Sequence, residues 1–174
     1  MLFPADRTAN LLGALALEVA HAEEEAAAGV VGQSGAAAAA IVVIAARPGL
    51  TLEYLRGPLG LSQPGVTRLV ERLVSAGWVS RAGAGGRGGL ALRLTPEGER
   101  VFDELLLARR AAVSAVLAPL TEAQQEQFAG LLETLLAARV GNRADLERLC
   151  RLCERRVCAQ CPVGGALDEL LQPE

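Results

Sequence analysis

The 174-residue sequence predicts a mainly α-helical fold with one small β-hairpin. Apolar residues recur at helical spacing along most of the chain, whereas residues on both sides of a glycine-rich stretch alternate with period two. Hydrophobic residues make up 51% of the chain but aromatic residues only 3%, so alanine and leucine must supply most of the core. Because helices of that composition bury little surface each, we expect them to pack against a second chain as well.

Three helices are expected in the N-terminal third of the chain. The first spans residues 7–28, and a break separates it from a second helix at 35–46, for which Ser34 is the candidate N-cap. Thr51 is placed to cap a third, short helix at 52–56.

A tight turn at residues 57–61 leads into a fourth helix that Ser62 caps and Gly77 ends. Pro64 falls in its first turn, where the missing N–H breaks no helical hydrogen bond. One face of the helix is apolar and consists of Val66, Leu69, Val70, Leu73 and Val74. The opposite face is polar and consists of Thr67, Arg68, Glu71, Arg72 and Ser75. The polar face is therefore the candidate binding surface.

A β-hairpin is expected next, with strands at 78–81 and 90–94 and a loop at 83–89 that carries Arg87 as its single charged side chain. Further helices are expected at 96–117 with Thr95 as cap, at 122–140 with Thr121 as cap, and from about 143 into the cysteines. A short helix, a turn, a second helix and a hairpin, in this order, predict a winged helix-turn-helix. In that unit the second helix enters the major groove of DNA.

The charge distribution supports a confined DNA-contact surface. The net charge of −3 alone argues against a nucleic-acid-binding protein, but residues 56–93 hold six arginines and one acid, Glu71. That segment carries +5, which leaves −8 for the rest of the chain. Every basic residue is arginine, whose planar fork matches phosphate and guanine.

Three motifs together resemble the multiple antibiotic resistance regulator (MarR) family. They are LGLSQPGVTRLVERL at residues 59–73, GWVSR at 77–81, and LRLTPEG at 92–98. The resemblance implies an obligate homodimer whose first and last helices interleave. It also implies two winged domains that read a palindrome, and a ligand cleft between them.

The resemblance also implies which residues contact DNA. By position these are Ser62, Gln63, Thr67, Arg68 and Arg72 of the fourth helix, Arg81 of the hairpin, and Arg87 as the wing arginine. Wings of this family usually carry an aspartate that braces the tip arginine, and residues 83–89 contain no acid. We therefore expect Arg87 to become ordered only on DNA.

The helices after the hairpin carry more apolar surface than one small winged domain can cover, so a dimer core shared between two chains is expected. The residues concerned are Val101, Leu105, Leu106, Val113, Val116, Leu117, Phe128, Leu131, Leu132, Leu135 and Leu136. Four segments follow from these assignments: an N-terminal dimerisation helix at 1–34, a DNA-binding domain at 35–98, C-terminal dimerisation helices at 99–141, and a cysteine-rich tail at 142–174.

Four cysteines form the strongest chemical signal in the chain. Cys150, Cys153, Cys158 and Cys161 have the spacing C-x2-C-x4-C-x2-C, and the sequence contains no other cysteine. The first two are expected on one helix face. Four thiolates suit tetrahedral Zn²⁺, the first expectation, or an iron–sulfur cluster, and metal-free redox thiols are a third interpretation. Typical members of the resembled family lack this cluster.

The leading interpretation is a cytoplasmic, dimeric DNA-binding regulator, expected to be a repressor that responds to a ligand, a metal or redox state. The alternative is a metal-clipped protein–protein adaptor that uses the winged fold without DNA. No catalytic residues are expected, because no nucleophile or carboxylate is placed with the sole histidine, His21. Membrane insertion is not expected either, since the uncharged stretch 26–46 is mostly alanine and glycine, and Glu18 interrupts the apolar stretch that imitates a signal peptide.

Overall fold

The computed structural model describes residues 4–32, 35–84, 90–154 and 161–165. The predicted fold class is confirmed, since helices dominate and two strands form an antiparallel hairpin. In chain order the elements are α1 (Pro4–Val31), α2 (Gly35–Ala46), α3 (Leu52–Leu59), α4 (Gln63–Ser75), β1 (Val79–Ala84), β2 (Leu90–Leu94), α5 (Pro96–Leu117), α6 (Glu122–Ala137) and α7 (Arg143–Leu149).

Helix α2 lies at the centre of the core. All eight residues from Ala37 to Ile44 are buried, and the helix contacts α1, α3, α4, α5 and β2. A helix that is apolar all round is one that its neighbours enclose. No single described helix is long and apolar enough to cross a membrane; α1 and α2 pass such a test only as a pair bent by 77°.

The N-caps predicted from the sequence form wherever the structure describes them. The side chains of Thr51, Ser62 and Thr95 each accept a hydrogen bond from the backbone N–H three residues later. Thr121 adds a reciprocal bond with the Gln124 side chain, which completes a capping box. Each cap stabilises its helix by about 1 kcal/mol. Ser34 lies outside the described residues.

The third helix is longer than expected. Residues 57–59 were predicted to begin a turn, but α3 continues through the buried Pro58 to Leu59. Pro58 lies in the last helical turn, where its missing N–H removes a single hydrogen bond and its ring gains burial. The turn begins instead at Gly60, which has a left-handed φ of +62°. Two other helix ends differ by about three residues, since α1 extends to Val31 and α6 stops at Ala137.

The hairpin is anchored to the start of α5. Strand β1 pairs with β2 so that Val79 faces Leu94, and β1 extends past the predicted residue 81 to Ala84 through an irregularity between Ala82 and Ala84. The Thr95 hydroxyl donates to the Gly77 carbonyl oxygen at 2.6 Å. A Cβ atom on Gly98 would overlap the carbonyl oxygen of Trp78. The base of the hairpin and the first turn of α5 therefore leave no space between them.

Three residues assigned to a dimer core lie instead in the core of this chain. Val101, Leu105 and Leu106 of α5 are buried within the single chain, because α5 packs along α1 and also meets α2. The later apolar residues behave differently. In α6 no residue is buried, so the expectation of an interface applies to that helix and to the outer part of α5.

Candidate nucleic-acid interface

Helices α3 and α4 form the helix-turn-helix, and the buried side of α4 fixes its orientation. Val66, Leu69, Val70 and Leu73 are buried, as the apolar stripe predicted. Val74 was assigned to the same stripe, but it is 36% exposed. It lies at the edge of the stripe in the last turn, where the neighbouring elements no longer cover it.

The structure brings the predicted contact residues of α4 to its uncovered side. Ser62, Gln63, Arg68 and Arg72 are exposed, and Thr67 is half-buried. Two of the polar groups also make local bonds: Ser62 Oγ accepts from the Gly65 N–H at 3.4 Å, and the Thr67 hydroxyl donates to the Gln63 carbonyl oxygen at 3.0 Å. Thr67 can therefore offer its methyl group and an oxygen lone pair to a ligand without breaking that bond.

Arg68 and Arg72 are the cations that this surface leaves available. Together with Glu71 and Ser75 they line a shallow depression on α4. Among the ion pairs of the described residues none involves Arg68 or Arg72, whereas Arg56 on α3 is paired with Glu53 at 2.7 Å. A guanidinium without an ion-pair partner keeps all its N–H donors available to bind a phosphate or a base edge.

A cleft of about 230 Å³ joins the helix-turn-helix to the hairpin. Gln63 and Thr67 of α4 line one side, and Leu90 of β2 lines another. Arg81 is exposed on β1, opposite Leu92 in register. Arg87 lies outside the described residues, so its role as the wing arginine stays a prediction.

A larger cavity of about 410 Å³ lies on the other side of the core, between α1, α2, α5 and the segment after α7. Its walls are mostly alanine and leucine, with Glu23, Arg109 and Arg151 among its lining residues. Arg109 pairs with Glu23 at 2.8 Å, yet within the described part of the chain its Nε is buried and has no hydrogen-bond partner. Sequence reasoning predicted a ligand cleft but not these residues, because no local pattern joins positions 23, 109 and 151.

The cysteines are placed differently from the sequence expectation. Cys150 and Cys153 were expected on one helix face, but α7 ends at Leu149, Cys150 is its C-cap and Cys153 lies in non-helical chain. Cys161 begins a short turn, and Cys158 lies outside the described residues. Within residues 4–32, 35–84, 90–154 and 161–165 no three histidine, cysteine or acidic side chains are gathered to hold a metal ion.

One expectation about His21 is corrected: a carboxylate does stand beside it, because Glu25 lies one helical turn further along α1. His21 is exposed on α1 and lies 3.6 Å from Glu25. Trp78 is partly buried and packs against the main core at the base of the hairpin.

Solved structures show the same fold. The multiple antibiotic-resistance repressor (MarR) of Listeria monocytogenes is 24% identical, with a TM-score of 0.60, 78% of this chain and 98% of that chain covered. A MarR family protein of Mycobacterium tuberculosis, in complex with p-aminosalicylic acid, is 26% identical, with a TM-score of 0.55 and coverage of 71% and 97%. The YusO protein of Bacillus subtilis is 22% identical, with a TM-score of 0.65 and coverage of 77% and 97%.

The family comparison agrees with the fold. Residues 32–88, which include α2, the helix-turn-helix and the first strand of the hairpin, match the MarR family model. No curated protein matches the chain, and the family match does not extend to the cysteines. The resemblance seen in the sequence is confirmed over residues 32–88, and the chain has the winged-helix fold of solved MarR-family regulators.

Proposed function

We propose that this chain is a homodimeric DNA-binding repressor that reads a palindromic operator through α4. The observation that carries the proposal is the exposed pair Arg68 and Arg72, neither of which forms an ion pair among the described residues. In helix-turn-helix proteins the N-terminal part of the second helix faces base edges in the major groove. Arg68 lies near that end of α4, and Arg72 lies one turn further on.

Each predicted contact residue has a distinct chemical task. The arginine forks suit guanine O6 and N7 or phosphate oxygens. Ser62 and Gln63 lie at the start of α4, where free backbone N–H groups and the helix dipole favour a phosphate. The Thr67 methyl can pack against a thymine methyl. Arg81 on the hairpin is placed for a backbone phosphate, a contact that fixes orientation more than sequence.

The second copy of the chain is proposed from the uncovered apolar helices. In the N-terminal half of α1, Leu11, Leu12, Leu15 and Leu17 are exposed, and Leu17 reaches 75%. Leu107 of α5 and Leu131 of α6 are exposed by 66% and 63%. Large apolar side chains exposed on three helices favour an interface, and a two-fold mate supplies the same helices to cover them. A dimer also explains the palindrome, since two equivalent α4 helices read two half-sites.

The cavity between α1, α2 and α5 is the proposed ligand site. Its volume suits a small organic molecule, and the Mycobacterium tuberculosis relative was crystallised with p-aminosalicylic acid. A ligand wedged between α2, which belongs to the winged unit, and α1 or α5 changes the separation of the two α4 helices. Since both half-sites must be engaged together, that change lowers operator affinity.

Fluorescence anisotropy with the intergenic DNA upstream of the chain's own coding sequence tests the proposal. We expect binding that is selective over scrambled DNA and that weakens steeply as salt rises. In vitro transcription from the same promoter should fall when the protein is added. The control for substitution of Arg68 or Arg72 is Arg139→Ala. It removes one exposed arginine outside the helix-turn-helix and should leave operator affinity unchanged. Absence of selective, salt-sensitive binding would refute the repressor and favour the adaptor interpretation.

A further inference from the structure

Helix α7 and the residues that follow it, 143–154 in all, form a segment that we call the strap. Helix α7 packs against α3 of the helix-turn-helix, and the Tyr54 hydroxyl on α3 donates a hydrogen bond of 2.7 Å to Glu147 Oε1 on α7. The Glu147 side chain is only 15% exposed, and its Oε2 lies 3.9 Å from the position that a Cβ atom would take at Gly57. The strap is therefore in close contact with one turn of α3.

Helix α3 contacts the strap on one side and borders the cleft of the reading unit on another. Tyr54 and Gly57 meet the strap, whereas Glu53 and Arg56 line the cleft that α3 shares with Gln63 of α4. Because a helix of eight residues moves as one body, a displacement on its strap side also displaces its cleft side. The position of the strap therefore affects the geometry of the reading unit.

The end of the strap forms part of the wall of the cavity between α1, α2 and α5. Arg151 and Leu152 line that cavity, and Leu152 also packs against the main core. Arg109 of α5 lines the same cavity, and the next residue, Arg110, forms an ion pair with Glu154, whose side chain is 13% exposed. The strap is thus attached to α5 next to the cavity and to α3 at its other end.

The apolar side chains of α7 pack in a cluster of their own. Leu146 and Leu149 contact Val140 and Val163 there, and this small cluster is separate from the main core. A unit of this kind, with few apolar contacts to the main core, opens locally at a low free-energy cost. The strap can therefore detach from α3 while the main core stays folded.

We propose that the strap closes the ligand cavity and passes the occupancy of that cavity to α3 within the same chain. A molecule that enters beside Arg151 and Leu152 displaces the peptide that carries them. Because Glu147 precedes these residues closely in the chain, the displacement also breaks its hydrogen bond to Tyr54. The docked strap holds α3 in the arrangement that reads DNA, so a ligand shifts the population away from that arrangement.

This inference rests on the proposed repressor function and its ligand site, and it adds a reciprocal relation. If the strap and a ligand compete, a weaker attachment of the strap raises ligand affinity and lowers operator affinity. A ligand that acts only through the separation of the two α4 helices predicts a different result. In that case variants of the strap contact respond to the ligand as the wild type does.

The first experiment measures the binding of p-aminosalicylate by calorimetry. Its ring suits the alanine and leucine walls, and its carboxylate suits the guanidinium groups of Arg109 and Arg151. Tyr54→Phe and Glu147→Ala both remove the hydrogen bond, so each should bind this probe about threefold more tightly than the wild type. Glu147→Gln keeps an acceptor oxygen and should stay near the wild type.

The control is Arg148→Ala, which removes an exposed side chain paired with Asp145 on the same helix. It should bind the probe as the wild type does. Equal or weaker probe binding in Tyr54→Phe and Glu147→Ala would overturn the competition between strap and ligand. A probe that binds none of these proteins at millimolar concentration would overturn the ligand site and the inference that depends on it.

The second experiment measures operator affinity and backbone hydrogen exchange on the same proteins. Without the probe, Tyr54→Phe and Glu147→Ala should bind the operator about threefold more weakly than the wild type and exchange faster over residues 145–154. In the wild type, the probe should speed exchange over these residues and operator DNA should slow it. Exchange that neither the probe nor DNA changes would reduce the strap to a structural attachment and overturn its role in regulation.

Failure of this inference can be told apart from failure of the proposed function. Operator binding that the probe weakens equally in the wild type and in Tyr54→Phe would overturn the strap and keep the repressor with its ligand site. Absence of operator binding in the wild type would refute the repressor. The probe titration and the hydrogen exchange would then still decide whether the strap closes the cavity.

Discussion

Most apolar residues of the winged-helix unit are buried within the chain, whereas none of those in helix α6 is buried. Helix α4 buries four of its 13 residues inside the chain, whereas α6 has 16 residues and buries none, although it carries five large apolar side chains. The family match covers the first region as far as residue 88 and does not reach the second. Helix α4 is held in place by its own chain, whereas α6 leaves its apolar side chains uncovered, as the proposed contact with a second copy requires. Apolar residues at helical spacing therefore form core in the first region, and in the second they are proposed to form an interface.

The largest effect is expected inside the winged unit. Leu73 is fully buried, so Leu73→Ala should lower the free energy of unfolding by about 3 kcal/mol through lost burial and a cavity. Urea unfolding monitored by circular dichroism measures this loss in the free energy of unfolding. Leu90→Ala, the same change at a residue 52% exposed, is the control and should stay within about 0.5 kcal/mol of wild type. Equal losses for both variants would contradict the assigned core.

Substitutions in helix α6 should change the oligomeric state rather than the free energy of unfolding of one chain. Replacing Leu131 and Leu135 together with aspartate places two charges in the proposed interface, and burying an unpaired charge costs several kcal/mol. We expect the double variant to sediment as a monomer at micromolar concentration and the wild type to sediment as a dimer. Leu90→Asp should remain dimeric. A double variant that stays dimeric would exclude α6 from the interface.

Substitutions on the exposed side of α4 should separate binding from stability. Arg68→Ala or Arg72→Ala should cost about 1–3 kcal/mol of operator binding, roughly fivefold to 150-fold in affinity, if the arginine contacts a base. The free energy of unfolding should not change, since neither side chain has an ion-pair partner among the described residues. Anisotropy and urea unfolding on the same samples check both. Unchanged affinity in both variants would show that α4 is not the reading helix.

The smallest expected effect concerns the hydrogen bond from Tyr54 of α3 to Glu147 of α7, and it depends on pH. Burial and the hydrogen bond to Glu147 raise the pKa of the Tyr54 hydroxyl above 10.0. A raised pKa in the folded state means that this stabilisation is complete below the unfolded value and is lost as pH rises through the folded value. The urea midpoint of the wild type should therefore fall more steeply above about pH 10 than that of Tyr54→Phe. Urea midpoints that fall equally with pH in the two proteins would contradict the hydrogen bond between Tyr54 and Glu147.

Local signals were predictable from the sequence, and contacts between distant residues were not. Ser62, Thr95 and Thr121 cap their helices as expected because a cap depends on residues three positions apart. The end of α3 was missed because Pro58 gains burial that only the folded core reveals. No pattern in the sequence indicates the bond from Tyr54 to Glu147, which spans 93 positions.

The candidate site shows the same difference between local signals, which were predictable, and contacts between distant residues, which were not. Periodicity placed Arg68 and Arg72 on the open side of α4, because the opposite stripe is buried. Periodicity could not decide whether Val101 and Leu105 meet their own chain or a second one, since both outcomes give the same spacing. The spacing of Cys150 and Cys153 suggested a shared helix face, but it carried no information on where α7 ends.

The tight junction at Gly98 has a mechanical consequence. Because a Cβ has no room beside the Trp78 carbonyl, and the Thr95 backbone N–H donates to that same oxygen at 3.0 Å, the hairpin base cannot slide independently of the long helix behind it. Any tilt of α5 must swing the hairpin through an arc that grows with distance from this pivot. A small displacement at the pivot thus becomes a larger one at the far ends of β1 and β2.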